Sequence, residues 1–121
     1  MNENYWIYED SFIFKPEFNE PIDGYIQVIK NYNKLIFSNY NDLEICIRTN
    51  NKYFDKYYNN YIKLTFNKSL ANSFDNLTSL TCLTFGHTFN QSLANSLDNL
   101  TSLTCLTFGH TFNQSLANFI R

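Results

Sequence analysis

Thirteen consecutive residues, LTFGHTFNQSLAN, occur twice in this chain without a change, at 83–95 and again at 106–118. When residues 65–95 are aligned with 88–118, 29 of the 31 positions match, and only Lys68/Gln91 and Phe74/Leu97 differ. The copies start 23 residues apart, and a fixed period of this length indicates stacked repeats. A single repeat cannot bury its apolar face alone, so the duplication predicts neighbouring repeats that stack and share a core.

The pattern continues toward the N-terminus with less similarity. Earlier copies begin at Phe12, at Leu35 and, more divergently, near Tyr61. We therefore predict an N-terminal cap at 1–11 followed by five repeats, at about 12–34, 35–59, 60–82, 83–105 and 106–121.

The apolar spacing within one repeat predicts its local structure. Leucines recur every third residue at Leu97, Leu100 and Leu103, and the alternation from Leu106 to Phe108 then indicates a short strand with these two side chains inward. The many Ser, Thr and Asn residues disfavour a long helix, because their side chains compete for backbone hydrogen bonds. The predicted fold is a leucine-rich-repeat-like solenoid, with one short parallel strand per repeat of about 23 residues and turn-like or short helical return segments.

A Phe-Asn or Tyr-Asn pair follows the predicted strand in every repeat. A polar side chain beside buried phenylalanines is costly unless it is hydrogen-bonded, and Asn carries both a donor and an acceptor. The spacing predicts a structural asparagine ladder that holds the bend after each strand. Its members would be Asn19, Asn41, Asn67, Asn90 and Asn113.

These motifs resemble a known family. The sequence Leu-Thr-Phe-Gly-x-x-Phe-Asn-Gln, and more literally Phe18-Asn19-Glu20-Pro21-Ile22, is similar to the FNIP repeat of social amoebae and of giant viruses that infect amoebae. The last three copies depart from that motif, with Ser69, Ser92 and Ser115 at the position of its proline. The resemblance implies a leucine-rich-repeat-like solenoid used for protein–protein contact.

Several members of that family carry an F-box before their repeats, which would make the repeats a substrate receptor of a ubiquitin ligase. Only residues 1–11 precede the first repeat here, which is too few for the helices of an F-box. We therefore expect a chain without an F-box.

Charge and composition exclude other partner classes. The formal net charge is −2, from 11 acidic and 9 basic residues that do not cluster, whereas nucleic-acid and membrane-surface binding usually need a basic patch. There is no long apolar run and the N-terminus does not have the pattern of a signal peptide. We expect no nucleic-acid or membrane partner, and an intracellular location, in the host-cell cytoplasm if the chain is viral.

Two repeated pairs have chemical potential. His87 and His110 should stack on adjacent repeats, but a zinc site needs a third or fourth ligand and none recurs beside them. Cys82 and Cys105 should also stack, on the outer face of the strands, without a base or oxyanion site that would make either one a nucleophile. The sequence therefore predicts no catalytic residue, no metal and no cofactor, and a protein that is not an enzyme.

The outer face of the predicted strands is the candidate partner-binding surface, because its N-terminal half carries the more varied and aromatic side chains. The predicted contacts are Ile13, Lys15, Ile36, Tyr61 and Lys63. The partner would be a protein whose identity the sequence does not give. Two alternatives stay open: a truncated or decaying repeat fragment with no specific partner, or a decoy for ubiquitin-ligase receptors of the same family.

The C-terminal end of the repeat array is a further expected contact. A terminal repeat exposes its core edge and an unpaired strand, and the residues after 118 offer little to cover them. We expect self-association through the strand edge at 104–109. At the other end, residues 4–11 would fold over the first repeat.

Overall fold

The computed structural model describes residues 4–37, 65–70, 73–93 and 95–114 of the 121-residue chain. Its centre is a five-stranded, mostly parallel sheet that is not closed, with strands in the order β1-β2-β3-β4-β5. Strand β1 is antiparallel to β2, and the remaining neighbours are parallel. The strands are β1 Tyr5–Tyr8, β2 Ser11–Phe14, β3 Lys34–Phe37, β4 Cys82–Thr84 and β5 Cys105–Thr107, and the short helices are a 3-10 helix, Asp23–Tyr25, and α1, Ile26–Ile29.

The alternation in the repeated strands determines which side chains enter the core. In β4, Leu83 is buried, and Phe85 directly after the strand is buried as well, while Cys82 and Thr84 on the opposite face are half-buried. This arrangement confirms the predicted strand and its inward face.

The segments that return from one strand to the next are built from successive tight turns. Backbone N–H groups of Ser73, Leu77 and Leu80 donate to the carbonyl oxygens three residues earlier, at 2.9, 3.2 and 3.2 Å. This three-residue step points each leucine of the Leu-x-x-Leu series inward, and Leu77 and Leu80 are buried. Turns at 95–99 repeat the geometry, as the sequence predicts. Between β2 and β3 the return contains the 3-10 helix and α1 instead.

Two columns of phenylalanine rings run through the core perpendicular to the strands. Neighbouring rings are nearly parallel, and their centroids are 5.2 to 5.5 Å apart in the first column and 5.8 to 6.1 Å apart in the second. The first column is Phe14, Phe37, Phe85 and Phe108, and the second is Phe18, Phe66, Phe89 and Phe112. The ring contacts fix each strand and the bend that follows it at one height in the stack.

The order of the strands differs from the order predicted for the repeats at 35–59 and 60–82. Strand β3 pairs directly with β4, with Leu35 opposite Leu83, so no strand from the predicted repeat at 60–82 lies between them. The ring of Phe66 stacks on that of Phe37 with centroids 4.2 Å apart, just as the ring of Phe18 stacks on that of Phe14 with centroids 4.0 Å apart. Strand β3 and the bend at Phe66 thus belong to one structural repeat, and 38–64 lie outside the described residues.

The N-terminal residues form one edge strand of the sheet. Strand β1 forms a hairpin with β2 through Glu9 and Asp10, which are both exposed. The ring of Tyr5 stacks on Phe12 at 4.3 Å. The segment expected to fold over the first repeat thus does so as an antiparallel edge strand.

Candidate partner-binding surface

The outer face of the sheet carries one continuous row of side chains across all five strands. The pairing register places Trp6, Ile13, Ile36, Thr84 and Thr107 side by side. A second row contains Lys34, Cys82 and Cys105. The first row therefore changes from large, apolar side chains on β1–β3 to threonines on β4 and β5.

The N-terminal half of this face is buried, which corrects the prediction of an open contact surface there. Exposure is 6% for Trp6, 2% for Ile13, 7% for Ile36 and 6% for Lys15. In the pairing register Ile13 lies between Trp6 and Ile36. The Lys15 ammonium also lies 5.4 Å from the centroid of the Trp6 ring, in cation–π range. Of the predicted contacts, Ile13, Lys15 and Ile36 are therefore not available on an open surface, and Tyr61 and Lys63 lie outside the described residues.

The C-terminal half of the face is accessible. Cys105 and Thr107 are exposed, and Lys34, Cys82 and Thr84 are half-buried. We call these five residues the outer patch. Its side chains are short except for Lys34, so a partner backbone could approach the sheet closely, and the threonine hydroxyls can both donate and accept hydrogen bonds.

Four of the five asparagines of the predicted ladder form it at the bend after the strands. The side-chain Oδ1 of each asparagine accepts from the backbone N–H of the asparagine in the next repeat: Asn19 from Asn67 at 2.9 Å, Asn67 from Asn90 at 2.8 Å, and Asn90 from Asn113 at 3.0 Å. Because Asn67 bonds directly to Asn19, no further repeat separates them at this bend. The predicted member Asn41 lies outside the described residues.

Glutamines reinforce the ladder in the last two described repeats. Gln91 Nε2 donates to Asn67 Oδ1 at 3.1 Å, and Gln114 Nε2 donates to Asn90 Oδ1 at 3.0 Å. The Oδ1 atoms of Asn67 and Asn90 thus each accept two bonds, which gives the Gln that follows Asn in the repeated sequence a structural role. These asparagines hold the backbone rather than offering their side-chain oxygens to a ligand.

A second ladder, which the sequence analysis missed, lies at the entry to the strands. Thr81 donates from its N–H and its Oγ1 to the Asn33 carbonyl at 2.7 and 3.1 Å. Thr104 donates in the same way to the Thr81 carbonyl at 2.9 and 3.3 Å. The repetition of Thr81 as Thr104 was the available signal, since a threonine before each strand can use both donors on one oxygen.

The two cysteines stack as predicted. Cys82 and Cys105 are direct partners in the pairing of β4 with β5, and both are free thiols. The pKa of the Cys82 thiol is raised above its usual 9.0, mainly because the thiol is partly buried and secondly because it forms a hydrogen bond with Cys105. A raised pKa favours the thiol over the reactive thiolate.

The two histidines also stack as predicted, with ring centroids 5.3 Å apart. Within the described ranges, no group of three or more His, Cys, Asp or Glu side chains could hold a metal ion. A small cavity at the ends of β2 and β3 has a volume of about 10 Å³, room for at most one water molecule. It is lined by Phe14, Lys15, Pro16, Phe37, Thr65, Phe66, Gly86 and Thr88.

Comparison with protein-family models, with curated proteins and with solved structures finds no match to this chain. In the part of the chain that the structure describes, neither helix is long and apolar enough to cross a membrane.

Proposed function

We propose that this chain is a non-catalytic protein–protein interaction module, built as a leucine-rich-repeat-like solenoid of FNIP-like repeats. It takes a protein partner, and it uses no cofactor and binds neither nucleic acid nor membrane. We also propose an intracellular location, the host-cell cytoplasm if the chain is viral.

The outer patch is the observation that carries this proposal. Identical residues of successive repeats lie at one height on the sheet, Cys82 beside Cys105 and Thr84 beside Thr107. The phenylalanine columns and the asparagine ladder hold this register from behind. A rigid and regular polar surface of this kind suits a partner that approaches along the stack, because preorganised groups lose little entropy on binding.

A capture experiment with matched variants tests the proposal. The full 121-residue chain is immobilised, and proteins bound from a cell lysate are quantified by mass spectrometry. The patch variant carries Thr84→Glu with Thr107→Glu. The control carries Thr78→Glu with Thr101→Glu, the same substitutions at exposed positions on the return segments of the same repeats. Circular dichroism checks that both variants fold.

We expect specific proteins to bind the wild type and the control but not the patch variant, since new charges on the patch oppose any contact there. Equal binding by both variants would exclude the outer patch as the site. If no protein is enriched over an unrelated immobilised protein, the alternative of a repeat array without a specific partner is favoured.

A further inference from the structure

The core side chains of the repeat are more exposed to solvent at β5 than at β4. Leu83, Phe85 and Phe89 are buried, with exposures of at most 2%. Their counterparts Leu106 and Phe108 are only half-buried, and Phe112 is half-buried as well. Strand β5 is the terminal strand of the sheet in the described ranges. Within the described residues, partly exposed apolar side chains and the last strand edge of the sheet therefore lie together at this end.

The shape that fits this edge can be read from the chain itself. Residues 83–91 and 106–114 have identical sequences, so the surface that 106–114 presents at the edge resembles the one that 83–91 presents to β5. On the earlier surface, Leu106 pairs with Leu83, the Phe108 ring stacks 5.5 Å from Phe85, and the Phe112 ring stacks 6.1 Å from Phe89. The contact between β4 and β5 can thus continue past β5 with the same side chains.

Both hydrogen-bond ladders can continue in the same way. Asn113 is the counterpart of Asn90, whose Oδ1 accepts the backbone N–H of the next repeat at 3.0 Å. The carbonyl of Thr104 is the counterpart of that of Thr81, which accepts both the N–H and the Oγ1 of the next threonine. An added strand would therefore meet the apolar edge between two hydrogen-bond acceptors, the Thr104 carbonyl at the start of β5 and Asn113 Oδ1 at the bend after it.

One glycine makes this edge selective. A Cβ added to Gly109 would lie 2.5 Å from the Cα of His87 and 2.6 Å from the carbonyl oxygen of Gly86, closer than such contacts occur. The backbones of successive repeats therefore approach too closely for any side chain at this position. A strand that stacks on β5 must likewise have glycine where it meets Gly109.

We propose that the β5 edge is a strand-addition site for a segment of another protein that carries the same repeat, Leu-x-Phe-Gly-x-x-Phe-Asn, bound parallel to β5. The proposal rests on the proposed function as a binding module and names the chemistry of one partner. Backbone hydrogen bonds provide the pairing, while the Phe columns and the required glycine provide the selectivity.

Peptide binding to the purified 121-residue chain tests this site. The probe is a dye-labelled synthetic peptide with the sequence of residues 82–104, and binding is measured by fluorescence anisotropy. The matched control peptide differs only by Gly86→Ala. We expect saturable binding of the first peptide and binding about tenfold or more weaker for the second, because the added methyl must displace backbone.

The location of the peptide is tested by NMR of the isotope-labelled chain. We expect chemical-shift changes in the amides of 104–113 and none in β1 and β2. Absence of binding, equal affinity of the two peptides, or shift changes centred on β1 and β2 would each overturn the proposal.

A second copy of the chain is the competing occupant, and size-exclusion chromatography with the peptide present identifies it. If the chain forms dimers that the peptide dissociates and the Gly86→Ala peptide does not, the edge recognises the repeat as proposed. Dimers that neither peptide affects, with no peptide bound, would contradict it. Because this experiment uses no lysate and substitutes neither Thr84 nor Thr107, it can fail while the outer patch still binds a partner, and the reverse.

Discussion

The two halves of the sheet achieve burial in different ways. In β1–β3 the repeats have diverged, the outer row consists of large side chains, and Trp6, Ile13 and Ile36 are buried on a face that sequence alternation assigns to the outside. In β4–β5 the repeats are nearly verbatim, the outer row is Thr84 and Thr107, and burial extends only to the inner face. Strands β1 and β5 are the two edge strands of the described sheet, and they differ because β1 runs antiparallel to its neighbour and lies before the first repeat.

This difference shows what duplication alone provides. An exact copy of a repeat supplies a surface that fits the preceding copy, through the Phe columns and the ladders, but it supplies no side chain that closes an edge. At the N-terminal edge, residues outside the repeat cover the core, as Tyr5 does by stacking on Phe12. Stability should therefore depend on how many neighbours a repeat has, as it does in one-dimensional repeat arrays.

The largest expected effect is a contrast between two equivalent phenylalanines. Phe85 contacts Phe37, Phe89 and Phe108, and it is buried, so Phe85→Ala should lower the free energy of unfolding by about 3–5 kcal/mol. Phe108→Ala removes the same side chain from a half-buried position, and we expect about half that loss. Urea denaturation followed by circular dichroism measures both variants, and equal losses would show that the side chains after β4 and β5 are equally covered.

The close backbone approach gives the next effect. Gly109→Ala places a methyl group within 2.8 Å of three backbone atoms of the preceding repeat, and it should destabilise the chain by about 1–3 kcal/mol. Gly24 has open space around its Cα and does not have a positive φ, so Gly24→Ala is the control and should be neutral or slightly stabilising. A shift in the urea midpoint is the readout, and a harmless Gly109→Ala would contradict the close packing of the repeats.

The ladder provides a third contrast. Asn67→Ala removes an oxygen that accepts from Asn90 N–H and from Gln91, so we expect a loss of about 1–2 kcal/mol. Asn113 lies at the end of the described ladder, and Asn113→Ala should change the unfolding free energy by about 0.5 kcal/mol or less. If the order of the two variants in a denaturation series were reversed, the ladder would not stabilise the inner repeats.

The smallest effect depends on pH. Because the pKa of Cys82 is raised in the folded state, the unfolded chain loses the thiol proton first as pH increases. The stability that this thiol contributes is therefore complete below about pH 9.0 and is lost as pH rises through the folded pKa. Tyrosine and lysine also titrate here, so the measurement is the difference between wild type and Cys82→Ser in unfolding free energy from pH 8 to about pH 10. An unchanged slope in the variant would contradict the raised pKa.

The repeat sequence was sufficient to predict the contacts that repeat. The strands at Leu83 and Leu106, their inward side chains and the stacking of the cysteines and of the histidines follow from a 23-residue period and a strand alternation. The same reasoning predicted the ladder from Asn19 to Asn113, because a polar group repeated beside buried rings must find a partner.

The features of the diverged half could not be read in this way. Phe14 and Phe18 are four residues apart, whereas the equivalent contact of Phe37 is with Phe66, 29 residues further along. Regular spacing offered Tyr40-Asn41 as the nearer pair, and no local pattern shows that the bend is made by Phe66-Asn67. Alternation likewise assigned Ile13 to the face opposite Phe12 and Phe14 but could not reveal its burial, because alternation specifies the face of a side chain and not what covers it.

We infer that side chains and backbone are better shielded from solvent in the diverged half, β1–β3, than in the duplicated half, β4–β5. Amide hydrogen exchange followed by NMR tests this inference most directly. NMR is needed because residues 83–95 and 106–118 yield peptides of identical mass. We predict the slowest exchange for strand amides at 35–37, intermediate exchange at 83–85, where Phe85 N–H donates to the Thr107 carbonyl at 2.9 Å, and the fastest at 105–107. Equal protection of 83–85 and 105–107, or slower exchange at 105–107, would contradict the account.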